Sequence, residues 1–117
     1  MTRELFTVVE TPTFLRKAEK ILNEQDRAEL ILAIAQAPEI GEVIPETGGV
    51  RKMRWALEGR GKSGGARVIY YFHSERMPII LLSIYAKNVA VNISKAEKNT
   101  LRQLMPQLVR QFIGEAK

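Results

Sequence analysis

The sequence predicts an α+β fold: a small, mostly antiparallel sheet with an N-terminal helical hairpin and a C-terminal helix, ordered β-α-α-β-β-β-α. Three observations carry that prediction. Residues 11–36 hold two capped segments with helical apolar spacing. Three strand-like runs follow, roughly 50–57, 66–73 and 78–87, joined by connections too short for anything but antiparallel neighbours. "SKAE" from Ser94 to Glu97 is a capping box that opens a last helix.

Taken in order, "LFTVV" at 5–9 reads as a short apolar strand. Thr11 and Pro12 supply a capping hydroxyl and a proline at the first helical position. Phe14, Leu15, Ala18, Ile21 and Leu22 give that helix its apolar side, through about Leu22. Asn23 is the next cap, with Glu24 and Asp26 complementing the dipole of a helix that reaches about Gln36. Its apolar positions are Ala28, Ile31, Leu32, Ile34 and Ala35, and Pro38 ends the hairpin. "PEIGEVIPETGG" is an irregular connection with turn residues at both ends. In the last helix the apolar stripe is Leu101, Leu104, Leu108 and Phe112, and Pro106 should kink or restart it. The helices are expected on one face of the sheet, in one domain spanning 1–117.

Composition narrows the function. The hydrophobic fraction of 45% and charged fraction of 26% are those of an ordinary globular chain, and no apolar run approaches the roughly 20 residues that span a bilayer. With no signal-peptide profile in "MTRELFTVVE", a cytoplasmic location is expected. There is no cysteine and a single histidine, so thiolate chemistry and thiolate metal sites are excluded. No His/carboxylate cluster has metal-ligand spacing, which argues against a metal-dependent nuclease; no cofactor is expected. His73, at a strand end beside a turn, reads as structural or solvated.

The net charge of +5 equals the sum of Arg51, Lys52, Arg54, Arg60, Lys62 and Arg67 less Glu58, so the rest of the chain balances. Positive charge gathered in "GGVRKMRWALEGRGKSGGARVIYYF" is what a polyanion site needs. Alternate strand residues share a face. Lys52 and Arg54 therefore point together, away from Met53 and from Trp55, which reads as core. Arg67 shares its side with Ile69 and Tyr71, and Tyr85 with Lys87. If the strands are neighbours, Lys52, Arg54, Arg67, Tyr85 and Lys87 converge on one surface rimmed by Arg60 and Lys62 of the glycine loop. Periodicity leaves open which of Tyr70 and Tyr71 is buried. Arginine suits bidentate contact with a phosphate diester, and tyrosine offers a stacking surface.

"TGGVRKMRWALEGRGKSGGARVIYYF", "IILLSIYAKN" and "ISKAEKNTLRQL" closely resemble the RelE-like HigB toxins of bacterial type II toxin–antitoxin pairs, over roughly residues 5–105. The resemblance implies the RelE-like fold and a ribosome-dependent mRNA endoribonuclease held inactive by a cognate antitoxin. It carries site residues onto Lys52 and Arg54 of the basic strand, Arg67 of the next, and Tyr85, Lys87 and Asn88 of the terminal motif. Arg51, Arg60, Lys62 and Asn88 are then RNA-binding. Such toxins commonly continue "KNE", where this chain has Val89. The implied partners are a HigA-like helix-turn-helix antitoxin, the ribosome with its translated mRNA, and operator DNA only through the antitoxin. Cleavage would use the 2′-hydroxyl as nucleophile, with no metal. Arg67 would stabilise the phosphate, Lys52 or Lys87 act as base or acid, Tyr85 position a base or share proton transfer, and Arg54 orient the backbone. A non-catalytic nucleic-acid-binding module, a partner-docking protein and a gyrase-poisoning relative on the same fold are the alternatives.

Overall fold

In a computed structural model describing residues 5–56, 65–87 and 93–114, the caps read from the sequence begin all three helices. Thr11 Oγ1 accepts from the Phe14 N–H at 3.2 Å and starts α1, Pro12–Ile21. Asn23 Oδ1 accepts from the Asp26 N–H at 2.7 Å and starts α2, Glu24–Gln36. Ser94 and Glu97 form the reciprocal box of α3, Lys95–Ile113. The two hydrogen bonds from Ser94 hold the Glu97 carboxyl below the usual carboxylate range.

The strands are β1 (Val8–Glu10), β2 (Glu42–Val43), β3 (Val50–Ala56), β4 (Gly65–Tyr71) and β5 (Ile79–Ala86). They form one sheet in the order β1-β5-β4-β3-β2. Only β1 runs parallel to its neighbour, β5; every other pair is antiparallel. β2 is an addition to the expected order, made from the stretch read as irregular. It is two residues long and exposed, too short for periodicity to reveal.

The helices do not share a face. Phe14, Ala18, Leu22, Leu30 and Ile34 from α1 and α2 pack with Met53, Val68, Tyr70, Ile79 and Leu81 on one side. Met105 of α3, with Leu101, Leu108, Val109 and Ile113 beside it, packs on Val50, Ile69, Tyr71 and Ile80 on the other. The cause is in β4, which is buried on both sides, so its apolar residues run consecutively as "VIYY" and need two covers. Tyr70 and Tyr71 are therefore both buried, facing opposite ways. The stripe of α3 is rotated from the expected one: Met105 is fully buried, whereas Leu104 and Phe112 are exposed. In α2 likewise, Leu30, Ile34 and Ala35 are buried and Leu32 is exposed.

Pro106 does not restart α3, which continues through it to Ile113. The proline leaves the Arg102 carbonyl without its helical donor. That turn of α3 meets the 44–50 corner at Gly48, where a β-carbon would stand 3.3 Å from Arg102 Cα. Gly48 has φ +78, so glycine satisfies both the left-handed backbone and the close approach. Within the corner the buried Thr47 hydroxyl donates to the Ile44 carbonyl (2.7 Å) and accepts from the Val50 N–H (3.0 Å).

Tyr70 joins the α1/α2 core to the 38–41 turn. Its hydroxyl donates to the Pro38 carbonyl and accepts from the Gly41 N–H, each at 2.8 Å. Tyr70→Phe should cost about 1–3 kcal/mol by stranding these buried groups, read as a lower urea midpoint at unchanged m-value. Burial raises the pKa of both Tyr70 and Tyr71 above the ordinary phenol value. The unfolded chain therefore releases these protons first, and stability should fall as pH rises beyond about 10. Melting temperatures of wild type and a Tyr71→Phe variant between pH 8 and 11 check this: the variant's decline should be shallower.

Candidate nucleic-acid interface

The pairing register sets out the cationic surface row by row. Lys52 lies opposite Ile69, which lies opposite Ser83. In the next row Arg54 is opposite Arg67, and Arg67 is opposite Tyr85. Beyond it, the Lys87 N–H donates to the Gly65 carbonyl at 3.0 Å, continuing the same ladder. A β-carbon on Gly65 would stand 3.4 Å from Lys87 Cδ, so the Lys87 stem lies across the bare glycine, on Arg67's side of the sheet. Lys52, Arg54, Arg67, Tyr85 and Lys87 thus share one face.

A β-bulge puts the β5 residues there. Ile69 pairs with Ser83 but Tyr70 pairs with Leu81, leaving Leu82 as the extra residue. Beside Tyr71 it is Ile80, at an even position, that faces α3; past the bulge it is Ser83 and Tyr85, at odd positions. An unbroken period of two from Ile80 would have turned Tyr85 away from Arg67.

This face is only half covered. α3 packs over the Val50–Tyr71–Ile80 row and Ile69 of the next, a cluster that Tyr85 touches, and Lys52, Arg54 and Arg67 extend past it. A cleft of about 390 Å³ opens there, lined among others by Ile40, Glu42, Lys52, Arg54, Arg67 and Ile69. Like charges directly opposite in a sheet are destabilising, as Arg54 and Arg67 are here. Among the described residues no carboxylate lies within 4.0 Å of the Lys52, Arg54 or Arg67 charge. The bidentate pair of Arg27 with Glu10 (2.6 and 2.8 Å) is elsewhere, joining α2 to β1. An arrangement of this kind gains most from an added anion.

Arg51 is not part of the face. It alternates with Lys52 and turns to the α1/α2 side, where its Nη1 donates to the carbonyls of Gly41 (2.7 Å) and Glu39 (3.3 Å). These bonds engage the guanidinium with the chain's own turn, away from the face of Lys52 and Arg54. Arg60, Lys62, Asn88 and Val89 lie outside the described residues. His73 is exposed and stacked on Tyr71, at the covered end of the sheet. Trp55 packs against the α1/α2 core as expected. No group of three or more His, Cys, Asp or Glu among the described residues is placed to hold a metal ion.

Several lining residues escaped the sequence reading. Ile40 and Glu42 sit in the connection read as irregular, and Glu42 is the cross-strand neighbour of Lys52. Lys17 of α1 reaches Ser83 Oγ at 3.0 Å and stands 4.0 Å from the Tyr85 ring centroid. One signal was available: Lys17 falls at i+3 from Phe14 and i−4 from Ile21, on the flank of the apolar stripe of α1.

A family profile described as "RelE toxin of RelE / RelB toxin-antitoxin system" matches residues 7–112. The chain belongs to the RelE toxin family. Membership in this family implies an antitoxin partner. Among solved structures, the fold is similar to that of the E. coli toxin RelE, in a double-arginine mutant in the free state. The match has a TM-score of 0.51 at 14% identity, covering 87% of this chain and 97% of RelE. The α+β fold with its C-terminal helix is thus the RelE fold. No helix among the described residues is long and apolar enough to cross a membrane.

The unpaired cations lead to a measurable expectation for this RelE-family chain. Inorganic sulfate should raise its melting temperature beyond the rise given by chloride at matched ionic strength, through binding to the folded state. Arg54→Gln should melt slightly higher than wild type without sulfate, by relief of about 0.2–1 kcal/mol of repulsion, and respond less when sulfate is added.

Proposed function

We propose that this chain is a HigB-type toxin, a ribosome-dependent endoribonuclease that cleaves translated mRNA and so arrests translation. The observation that carries this reading is the row Arg54–Arg67–Tyr85 beside Lys52: cations without carboxylate partners on the uncovered half of the face. RNA supplies its own nucleophile. The 2′-oxygen bonds to the adjacent phosphorus as its proton passes to a base. The bond from phosphorus to the 5′-oxygen breaks, and that oxygen takes a proton from an acid. The products are a 2′,3′-cyclic phosphate and a 5′-hydroxyl, and the reaction calls on no metal ion.

In this mechanism Arg67 meets the charge that develops on the phosphoryl oxygens with the planar fork of its guanidinium. Arg54, directly opposite, orients the backbone. Lys52 or Lys87 accepts or returns the proton. Tyr85 positions a base or shares in proton transfer. Arg60, Lys62 and Asn88 extend the contact to flanking nucleotides. The partners are a HigA-like helix-turn-helix antitoxin, through which operator DNA is bound, and the translating ribosome in the cytoplasm. The toxin unit spans 1–117.

Arg67→Ala should lower mRNA cleavage in a translating extract by about 100- to 1,000-fold, with the far-UV spectrum and melting temperature retained. Mapped mRNA ends are the readout. Equal cleavage by the variant, or salt-sensitive RNA binding by wild type with no cuts, would sink the proposal. DNA damage without mRNA cuts would point instead to gyrase.

A further inference from the structure

We propose that Lys17 is a positioning residue of the RNA site, holding the Tyr85 ring in place. The inference rests on the reading of Tyr85 as a site residue.

α1 belongs to the opposite layer, so the route of this lysine needs explaining. β1 pairs with β5 only along Ile79, Ile80 and Leu81. Past Leu81 no strand among the described residues lies beside the edge of β5, and α1 begins there. The α1 cap, Thr11, donates its backbone N–H (3.2 Å) and its hydroxyl (2.8 Å) to the Leu81 carbonyl. The same hydroxyl reaches the Leu82 carbonyl at 3.3 Å. The start of α1 is thereby fastened at the bulge that turns Ser83 and Tyr85 toward Arg67.

Six residues along, about 9 Å of helix rise, Lys17 spans the open edge. Its Nζ donates to Ser83 Oγ at 3.0 Å and lies over the Tyr85 ring at 4.0 Å from the centroid. Ser83 and Tyr85 are two residues apart on one face, so one ammonium holds the pair from the side. Lys17 is half-buried at the flank of α1, beside and not within the face that Phe14 and Ala18 bury against the core. Its two contacts lead to the cationic face instead. No carboxylate among the described residues lies within 4.0 Å of its Nζ, so no ion pair draws the ammonium away from Ser83 and the ring. A cation against a half-buried aromatic ring restrains the ring's rotation, and an ordered ring is what a stacked base requires.

Single-turnover cleavage of one mRNA in a reconstituted translating system tests the inference. Lys17→Met keeps the apolar stem and should slow cleavage about 3- to 30-fold. Lys17→Arg retains a cation at the ring and should stay within about threefold of wild type. Ser83→Ala, which removes only the anchoring hydroxyl, should lose about two- to tenfold with the melting temperature held. It keeps the test decisive if Lys17→Met proves unstable. In the background of Tyr85→Leu, Lys17→Met should add little, because its effect passes through the ring. Wild-type rates for Lys17→Met and Ser83→Ala overturn the inference. So do losses that multiply in the double variant, or an arginine that fails to rescue. Arg67→Ala runs beside them. If it alone is inactive, only the role of Lys17 falls; if it cleaves normally, the ribonuclease reading falls first.

Discussion

The half-covered face of the sheet is the constraint on which this molecule depends. Five strands present two faces, and burial of "VIYY" on both sides of β4 demands a helical layer for each. α1 and α2 cover one face, where twelve buried residues form a continuous core. α3 is a single helix and covers only part of the other face, at Val50, Ile69, Tyr71 and Ile80. The remaining rows must tolerate water, and polar or charged side chains occupy them. Cations meet there because the register brings Arg54 opposite Arg67, at an electrostatic cost that apolar burial on the reverse side offsets.

How much of this was legible in the sequence can be judged residue by residue. Thr11, Asn23 and the Ser94–Glu97 box announced the helix starts because caps are local chemistry, and the structure uses all three. The alternation of Lys52 and Arg54 with Met53 and Trp55 predicted their common face, since a period of two survives wherever a strand is regular. One error came from treating a local pattern as a global one. Assigning all helices to one face ignored that consecutive apolar residues in β4 require two covers. Arg51 stands apart from its charged neighbours because parity sends it to the carbonyls of Glu39 and Gly41.

Other features had no local signal. β2 is two residues long and exists only because β3 lies beside it. The rotated stripe of α3 depends on where Gly48 meets the helix, and on Met105 being the residue that fits there. Tyr85 was placed correctly, but the bulge at Leu82 that delivers it was not foreseen. Lys17 joins the site because β1 stops at Glu10 and leaves an edge for a side chain from the other layer to pass. Contacts of this sort are properties of edges and ends, where tertiary geometry decides and residue periodicity is silent.

The turn at 38–41 has one more implication. Its carbonyls and N–H are gripped from behind the sheet by Tyr70 and Arg51, while Ile40 and Glu42 form the outer wall of the cleft in front. The width of the cleft is therefore governed by residues that never meet its occupant. Drift in the hydrophobic layer behind β3 and β4 would retune which anions fit, so this wall couples the evolution of the interior to that of recognition.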